Sequence, residues 1–305
     1  MLNRVLAIAL NTYRESVRAR ILLGLAGVAF AVALFSLVVG AFTLRNAPRV
    51  VSDLGVAAIS VFGIMAAIVS GSTSLHRELE QKTIFPILAR PIRRGEYVLG
   101  KYLGMMLTIA VFVMADAGLV LLLSAALAGR SPGQIAGVFV AGAVVLGLAM
   151  WRSPKARTYG PIPWAVVMLV AGVVLAGVAP EERRVVLGGS LLAFLEVAIV
   201  AAIGLLFSSF STPFLSALLT LGMVVIGRSA DQAKYFGPTA RAIAMAVAKV
   251  VPNLHVFVPP RPLFTGEVAT VPLAPYLGMA AVTAAAWSLG LLAVASFIFK
   301  KRDFL

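Results

Sequence analysis

Long apolar runs dominate the hydrophobic pattern of the chain and predict its elements. A helix needs about 20 mostly apolar residues to cross a bilayer. The runs predict membrane-spanning helices at residues 21–44, 54–75, 102–127, 135–151, 164–180, 185–210, 214–230 and 273–299. The predicted fold class is therefore all-α, a polytopic membrane helix bundle.

The runs at 135–151 and 164–180 form an extra membrane hairpin, 135–180. Each is only about 17 residues long, which is short for a bilayer core about 30 Å thick. They predict either two crossings or a re-entrant hairpin, so the bundle has six to eight transmembrane helices. The sidedness of the other loops is the same in both cases, because the hairpin adds two crossings or none.

The segment before the first run has a helical stripe. Apolar side chains recur there every three or four residues, at Leu2, Val5, Leu6, Ala9, Leu10, Tyr13 and Val17. Such a helix lies in the headgroup plane, with its arginines near anionic lipid. We expect an N-terminal amphipathic elbow helix at 1–20 and a transmembrane domain at 21–305. The alternative is the start of one long first helix.

Composition excludes several classes of protein. Charged residues make up 12% of the chain, against about 25% for a soluble domain. The hydrophobic fraction is 61% and the mean hydropathy is +1.00. A soluble enzyme, a nucleic-acid-binding domain and a disordered chain are excluded. The absence of cysteine also rules out disulfides, thiolate metal sites and a cysteine nucleophile.

The positive charges predict an orientation. The net charge is +14, and the charges bracket apolar runs, which favours a membrane over nucleic acid as the partner. With the N-terminus inside, 16 of the 26 Lys and Arg residues lie on the cytoplasmic side. We therefore expect both termini in the cytoplasm. Trp151, Tyr159 and Trp164 would then form an aromatic belt at that interface.

The cytoplasmic loop 76–101 is the most informative stretch. It holds six basic and three acidic residues, and Pro86 and Pro91 break its helical start. An apolar and basic piece, 87–94, is suited to insertion into a partner's groove while its arginines pair with carboxylates. The alternative is a basic loop that only holds the orientation.

The long external segment 231–272 contains an amphipathic stretch followed by five prolines, Pro252, Pro259, Pro260, Pro262 and Pro272. Residues 239–250 predict a surface helix, and the prolines that follow preclude a continuous helix. We expect an ordered, extended cap there. The alternative is a mobile loop that has no function.

Two acids interrupt the apolar runs, Asp116 and Glu196. An ionised acid at a helix centre is costly, so each must face the bundle interior, form a pair or be protonated. They mark either a polar point on a transport path or a hydrogen bond between helices. Ion-coupled secondary transport through these two acids stays open. A membrane-embedded enzyme is disfavoured because neither acid has a histidine beside it.

No ATP or metal site is expected in this chain. Residues 95–101 match a Walker A loop except at the last position, where Tyr102 replaces the magnesium-binding Ser or Thr. His76 and His255 lie on opposite faces of the predicted membrane, and the spacing around His76 fits no zinc signature. Two Gly-x-x-x-Gly spacings, at 100–104 and 133–137, arise easily by chance in glycine-rich spans, and no role is assigned to them.

Four stretches carry a resemblance to a known family. They are Arg14, Glu15, Ser16, Arg18 and Arg20; then Glu78, Glu80, Thr83, Leu88, Arg90, Pro91, Arg94, Tyr97, Gly100 and Lys101; then 206–213 leading into 218–227; and 299–304. With these stretches, which extend over most of the chain except 130–184, the sequence resembles the membrane-spanning permease subunits of type 2 ABC transporters.

This resemblance implies a dimeric permease, either a homodimer or a heterodimer, in the plasma (inner) membrane. Loop 76–101 would act as the coupling helix on a separate ATP-binding subunit, which would carry the ATP and magnesium. The candidate coupling residues are Arg77, Glu78, Glu80, Lys82, Thr83, Pro86, Leu88, Arg90, Pro91, Arg93, Arg94, Tyr97 and Lys101. The extra hairpin departs from the usual six spans and leaves the substrate class open.

Overall fold

The computed structural model describes residues 2–18, 20–43, 46–74, 94–231, 251–266 and 272–301, and every regular element in these ranges is helical. The α-helices are α1 (Leu2–Arg18), α2 (Arg20–Ala41), α3 (Ala47–Ser74), α4 (Arg94–Leu127), α5 (Pro132–Arg152), α6 (Pro154–Tyr159), α7 (Pro161–Leu175), α8 (Pro180–Ser208), α9 (Pro213–Arg228), α10 (Pro262–Thr265) and α11 (Leu273–Lys301). The predicted all-α class is confirmed.

Seven of the described helices are long and apolar enough to cross a membrane. They are Leu23–Ala41, Ala47–Ser74, Arg94–Leu127, Pro132–Arg152, Pro161–Val178, Pro180–Ser208 and Leu273–Lys300. The predicted span 214–230 corresponds to α9, which has 16 residues. At 1.5 Å per residue, α9 is about 24 Å long, which is shorter than a bilayer core of about 30 Å.

Helices α3 and α8 lie side by side at the centre of the bundle. A Cβ atom on Gly71 would lie 3.0 Å from the Cα of Gly204, and one on Gly189 would lie 2.6 Å from the side chain of Val56. The residue numbers of the contacting positions increase together in α3 and α8, so the two helices are parallel. Small residues permit this close approach of the two backbones.

Helix α4 contacts α1 through the Gly-x-x-x-Gly pair at 100–104. A Cβ atom on Gly104 would lie 2.5 Å from the carbonyl oxygen of Ala9, and one on Gly100 would lie 2.7 Å from Ile8. This glycine pair therefore forms the groove in which α1 packs. The spacing 133–137 differs, because an added Cβ would meet nothing within 4 Å among the described residues at either glycine.

The predicted extra hairpin consists of α5 and α7, joined by the short helix α6. Helix α7 packs against α4, whereas α5 is held mainly by α6 and α7. A Cβ atom on Gly118 of α4 would lie 2.6 Å from the backbone of Met168 in α7. Both long helices of the hairpin satisfy the length and hydropathy of a membrane span.

The described part of the predicted external segment, 251–266, contains a short 3₁₀ turn, His255–Phe257, and the four-residue helix α10. Arg261 anchors this part to the bundle. Its Nη2 donates to Glu182 of α8 at 2.6 Å, and its Nη1 contacts Asp53 of α3. We refer to this end of the bundle as the Arg261 end.

The charge on Arg261 is held in place by its partners. Burial by itself would lower the pKa of the guanidinium, but hydrogen bonding to Glu182 and the charges of Glu182 and Asp53 more than offset this, and the pKa is raised. Arg261 therefore stays cationic over the whole physiological range. The predicted amphipathic stretch 239–250 lies outside the described residues.

We expect Arg261→Ala to release residues 251–266 from α3 and α8. The substitution leaves Glu182, whose residue surface is 8% exposed, without its cation, and a hydrogen bond to a charged group contributes about 1.5–3 kcal/mol. Limited proteolysis in detergent should cleave 251–266 several times faster than in the parent, by an order-of-magnitude judgement. Arg49→Ala is the matched control, because the exposed pair of Arg49 with Asp53 at 3.7 Å is worth little. Equal cleavage of the two variants would contradict the anchoring role.

Candidate functional site

Most of the candidate coupling residues lie outside the described residues. These are Arg77, Glu78, Glu80, Lys82, Thr83, Pro86, Leu88, Arg90, Pro91 and Arg93. The other three, Arg94, Tyr97 and Lys101, belong to the first two turns of α4. Helix α4 thus begins within the stretch that the sequence pattern assigned to the loop. The same helix contains the Walker-like residues 95–101, whereas a Walker loop precedes a helix.

Arg94 and Tyr97 join the start of α4 to the end of α11. Nη1 of Arg94 donates to the carbonyl oxygens of Phe299 at 3.0 Å and Lys300 at 2.9 Å. The ring of Tyr97 stacks on Phe299 with the centroids 6.1 Å apart. A cation near the last carbonyls of a helix is favourable because it complements the helix dipole.

Lys101 and its neighbours join α4 to α1. The Nζ of Lys101 lies 3.4 Å from a carboxylate oxygen of Glu15. On the same helix, Arg14 donates to the hydroxyl of Tyr159 in α6 at 2.5 Å, and Tyr13 stacks on that ring. Burial, followed by the neighbouring Tyr159, raises the pKa of Tyr13 to about 12, so this hydroxyl stays neutral.

These contacts bring four segments together at one end of the bundle. They are α1, the start of α4, the hairpin junction at α6 and the end of α11. We refer to it as the Arg94 end. Arg94 and Lys101, in the C-terminal part of the predicted loop 76–101, belong to this assembly.

The predicted aromatic belt is only partly free to meet a membrane interface. Trp151 is 80% exposed, as an interfacial residue would be. Tyr159 instead stacks on Tyr13. Trp164 packs against α5, where a Cβ atom added to Gly142 would lie 3.3 Å from the indole nitrogen of Trp164.

An ion pair joins α8 and α9 within the described part of the bundle. Arg228 donates to both carboxylate oxygens of Glu196, from Nε at 2.7 Å and from Nη2 at 2.8 Å. Nη2 also donates to the hydroxyl of Ser60 in α3 at 2.5 Å. Glu196 is fully buried, whereas the Arg228 side chain is 32% exposed. Such a bidentate pair provides the compensation that a buried carboxylate needs.

The predicted span 214–230 contains Arg228, but sequence reasoning missed this residue as the partner of Glu196. Helix α9 is too short to span the bilayer core, so its last residue lies about 24 Å along the helix axis and reaches Glu196. The sequence contained a signal for this pair. Arg228 is an isolated arginine at the end of an apolar run, and Glu196 is an acid in the preceding run that needs a counter-charge.

Asp116 has a different environment from Glu196. It is fully buried in α4, and neither carboxylate oxygen has a hydrogen-bond partner among the described residues. Phe112 and Val120, one turn before and after it, face Gly63 and Gly55 of α3. Asp116 therefore lies on the α4 face that packs against α3, and the two intramembrane acids do not pair with each other.

An apolar cavity of about 320 Å³ lies between α4, α7 and α8. Met114, Leu169 and Phe194 contribute to its lining, and Ser190 is a polar residue in its wall. Helix α7 of the extra hairpin thus borders a space whose walls are suited to an apolar group.

No group of three or more possible metal ligands occurs in the part of the chain that the structure describes. His76 lies outside that part. The backbone N–H of His255 donates to the side-chain oxygen of Asn253 at 3.0 Å, and the Nε2 of its ring lies 3.8 Å from a carboxylate oxygen of Asp231. This histidine belongs to the surface of the external segment.

The fold and the buried polar groups define a multi-pass helical membrane protein. A sequence profile described as ABC-2 family transporter protein matches residues 6–304. The chain therefore belongs to the ABC-2 transporter family, and the resemblance to ABC-2 type permeases is confirmed. Comparison with the curated proteins finds no match.

Proposed function

We propose that this chain is the permease subunit of an ABC transporter whose ATP is hydrolysed on a separate subunit docked at loop 76–101. The observation that carries the proposal is the family match over residues 6–304. The loop is supported as the docking site by its basic and apolar pattern and by its position between α3 and α4. ATP and magnesium bind to the partner subunit, and this chain binds no cofactor.

In the proposed orientation, the Arg94 end faces the cytoplasm, and so do both termini. The larger share of Lys and Arg residues lies on that side. Helix α9 reaches from the Arg94 end into the outer half of the membrane, and the external segment completes the crossing. The Arg261 end then faces the other side. We propose the plasma (inner) membrane as the location.

Helix α1 has the features of the proposed elbow helix. Val5, Ala9 and Tyr13 are buried against the protein, while Leu2 and Leu6 of the same apolar stripe stay exposed. Exposed apolar side chains beside arginines suit the headgroup boundary of a bilayer. The groove at 100–104 fixes α1 to α4 close to the end of the loop, so movement of the loop would carry both helices.

The complete transporter is proposed to hold two permeases, either two copies or this chain with a sister chain. A single bundle has its α3 and α8 packed closely at Gly71 and Gly204, which leaves no path along this central seam in the described conformation. A path between two permeases is consistent with this packing.

The docking proposal is tested by isolating the tagged protein from its own membranes in mild detergent and assaying for a co-purifying ATPase. The test variant carries Glu80→Ala, Arg90→Ala and Arg93→Ala. Arg94 is left unchanged because it binds the end of α11. The loss of several charge-assisted contacts should lower ATPase recovery by about tenfold or more.

The matched control carries Glu181→Ala, Arg183→Ala and Arg184→Ala, which remove the same charges at the Arg261 end. This control should recover as much ATPase as the parent. Equal loss in both variants would show that the effect is not specific to the loop. If the parent itself recovers no ATPase, ion-coupled transport through Asp116 and Glu196 becomes the better hypothesis.

A further inference from the structure

Asp116 is a fully buried acid in the middle of α4, and no described residue provides it with a counter-charge. Glu196, the other intramembrane acid, is neutralised by Arg228. Asp116 is fully buried, and both of its carboxylate oxygens are without a hydrogen-bond partner among the described residues. An ionised carboxylate in such a place has neither water nor a donor to stabilise it.

The helices packed against α4 provide no charge that could compensate Asp116. Within the spans, α2 and α7 carry no charged residue, α11 has only Lys300 and Lys301 at its end, and α3 has only Arg49 and Asp53 near its start. On α1, Glu15 pairs with Lys101, which is 15 residues from Asp116, or about 22 Å along the helix. On α8, Glu196 is already paired with Arg228 of α9.

We propose that Asp116 binds a proton in this closed arrangement and releases it to water when α3 and α4 separate during transport. The described cavity does not include Asp116 in its lining, and the residue has no exposed surface. A metal ion or a cationic substrate group would need space and further oxygen ligands. A proton needs neither, so it is the ligand that this site accommodates.

The packing around Asp116 explains why release would require helix movement. On either side of it, a Cβ atom on Gly55 of α3 would lie 2.4 Å from Val120 of α4, and one on Gly63 would lie 3.9 Å from Phe112 of α4. Water cannot reach the carboxyl through a seam this close. When the seam opens, water solvates the carboxylate and accepts the proton, and closure takes one proton up again.

The first test measures the bound proton directly and does not depend on the transporter assignment. The chain has four aspartates; Asp53 and Asp231 are exposed, and Asp303 follows the last described helix. Infrared spectra are recorded in phosphatidylcholine nanodiscs at neutral pH, with and without ¹³C label in the aspartate carboxyl groups. We expect a protonated-carboxyl band that shifts with the label and is missing in Asp116→Asn. No label-sensitive band in the parent would overturn the proposal.

The second test rests on the proposed function and uses the complex with its ATPase. Alkaline pH should favour the open seam and acid pH the closed seam, because closure takes up a proton. The basal ATPase activity of the complex should therefore rise with pH in the neutral range, by up to about tenfold per unit. Asp116→Asn, which cannot release a proton, should give a flat profile, whereas Asp53→Asn should keep the parent profile.

The two tests separate the possible failures. A carboxyl band with no pH-dependent difference between parent and Asp116→Asn would overturn proton release while leaving the permease assignment intact. A complex that lacks any ATPase would instead contradict the proposed function. If Asp116→Asn does not insert stably, the isotope shift in the parent still decides whether a proton is bound.

Discussion

Arg228→Ala should destabilise the bundle by about 3–5 kcal/mol, the cost of leaving one partner of a buried ion pair uncompensated. Glu196 would lose both hydrogen bonds from the guanidinium, and Ser60 would lose its donor. Without the Arg228 side chain, the end of α9 would also lose its described hydrogen bonds to Ser60 of α3 and Glu196 of α8. We therefore expect lower thermal stability in detergent and loss of transport.

A double-mutant cycle tests this explanation. Arg228→Ala combined with Glu196→Gln should recover most of the lost stability, because the neutral amide no longer carries a buried charge. Arg184→Ala, which removes an exposed arginine from α8, should stay close to the parent. If the double variant is as unstable as Arg228→Ala alone, the uncompensated charge is not the cause, and the guanidinium acts through packing.

Gly118→Leu should detach the extra hairpin from the bundle. A Cβ atom there would lie 2.6 Å from the backbone carbonyl of Met168, and one on Gly172 would lie 2.8 Å from the carbonyl oxygen of Gly118. Backbone atoms cannot move aside as a flexible side chain can. Overpacking of a core typically costs about 1–3 kcal/mol, and the rigid neighbour places this site at the upper end.

The absence of native cysteine permits a direct measurement of this separation. Met168→Cys places a single thiol in α7 at a residue that is 2% exposed. In detergent, a maleimide should label it slowly, and about tenfold or more faster when Gly118→Leu is added. Gly137→Leu in α5 is the control, since its added side chain has open space and should leave labelling slow. Equal labelling in all three proteins would show that the seam does not hold the hairpin.

The sequence predicted the helices because their cause is local. Apolar runs of spanning length are sufficient to identify a membrane helix, and seven of the predicted spans correspond to helices of adequate length and hydropathy. The extra hairpin was likewise predicted at 135–180. Its alternative, a short re-entrant pair, rested on run lengths of about 17 residues, and the structure extends these helices to Pro132–Arg152 and Pro161–Val178.

The boundaries that were wrong lie where charged residues belong to a helix. Sequence reasoning started the third span at 102, but α4 begins at Arg94, because Arg94 and Lys101 find partners in α11 and α1. It also missed Arg228, in the predicted span 214–230, as the partner of Glu196. Hydropathy alone treats each charge as a penalty, whereas a charge that meets its counter-charge can lie inside the helix bundle.

The sequence by itself determined the class of protein, the positions and order of its apolar runs, and the resemblance to ABC-2 type permeases. These depend on composition, run length and short motifs, all of which are local. The tertiary structure alone decided that Glu196 pairs with Arg228 and that Asp116 has no hydrogen-bond partner among the described residues. It also decided that α1 packs on the glycine pair 100–104, whereas no described helix packs on the glycine pair 133–137. Those outcomes depend on which helix faces meet, and residues as distant in sequence as Gly104 and Ala9 determine them.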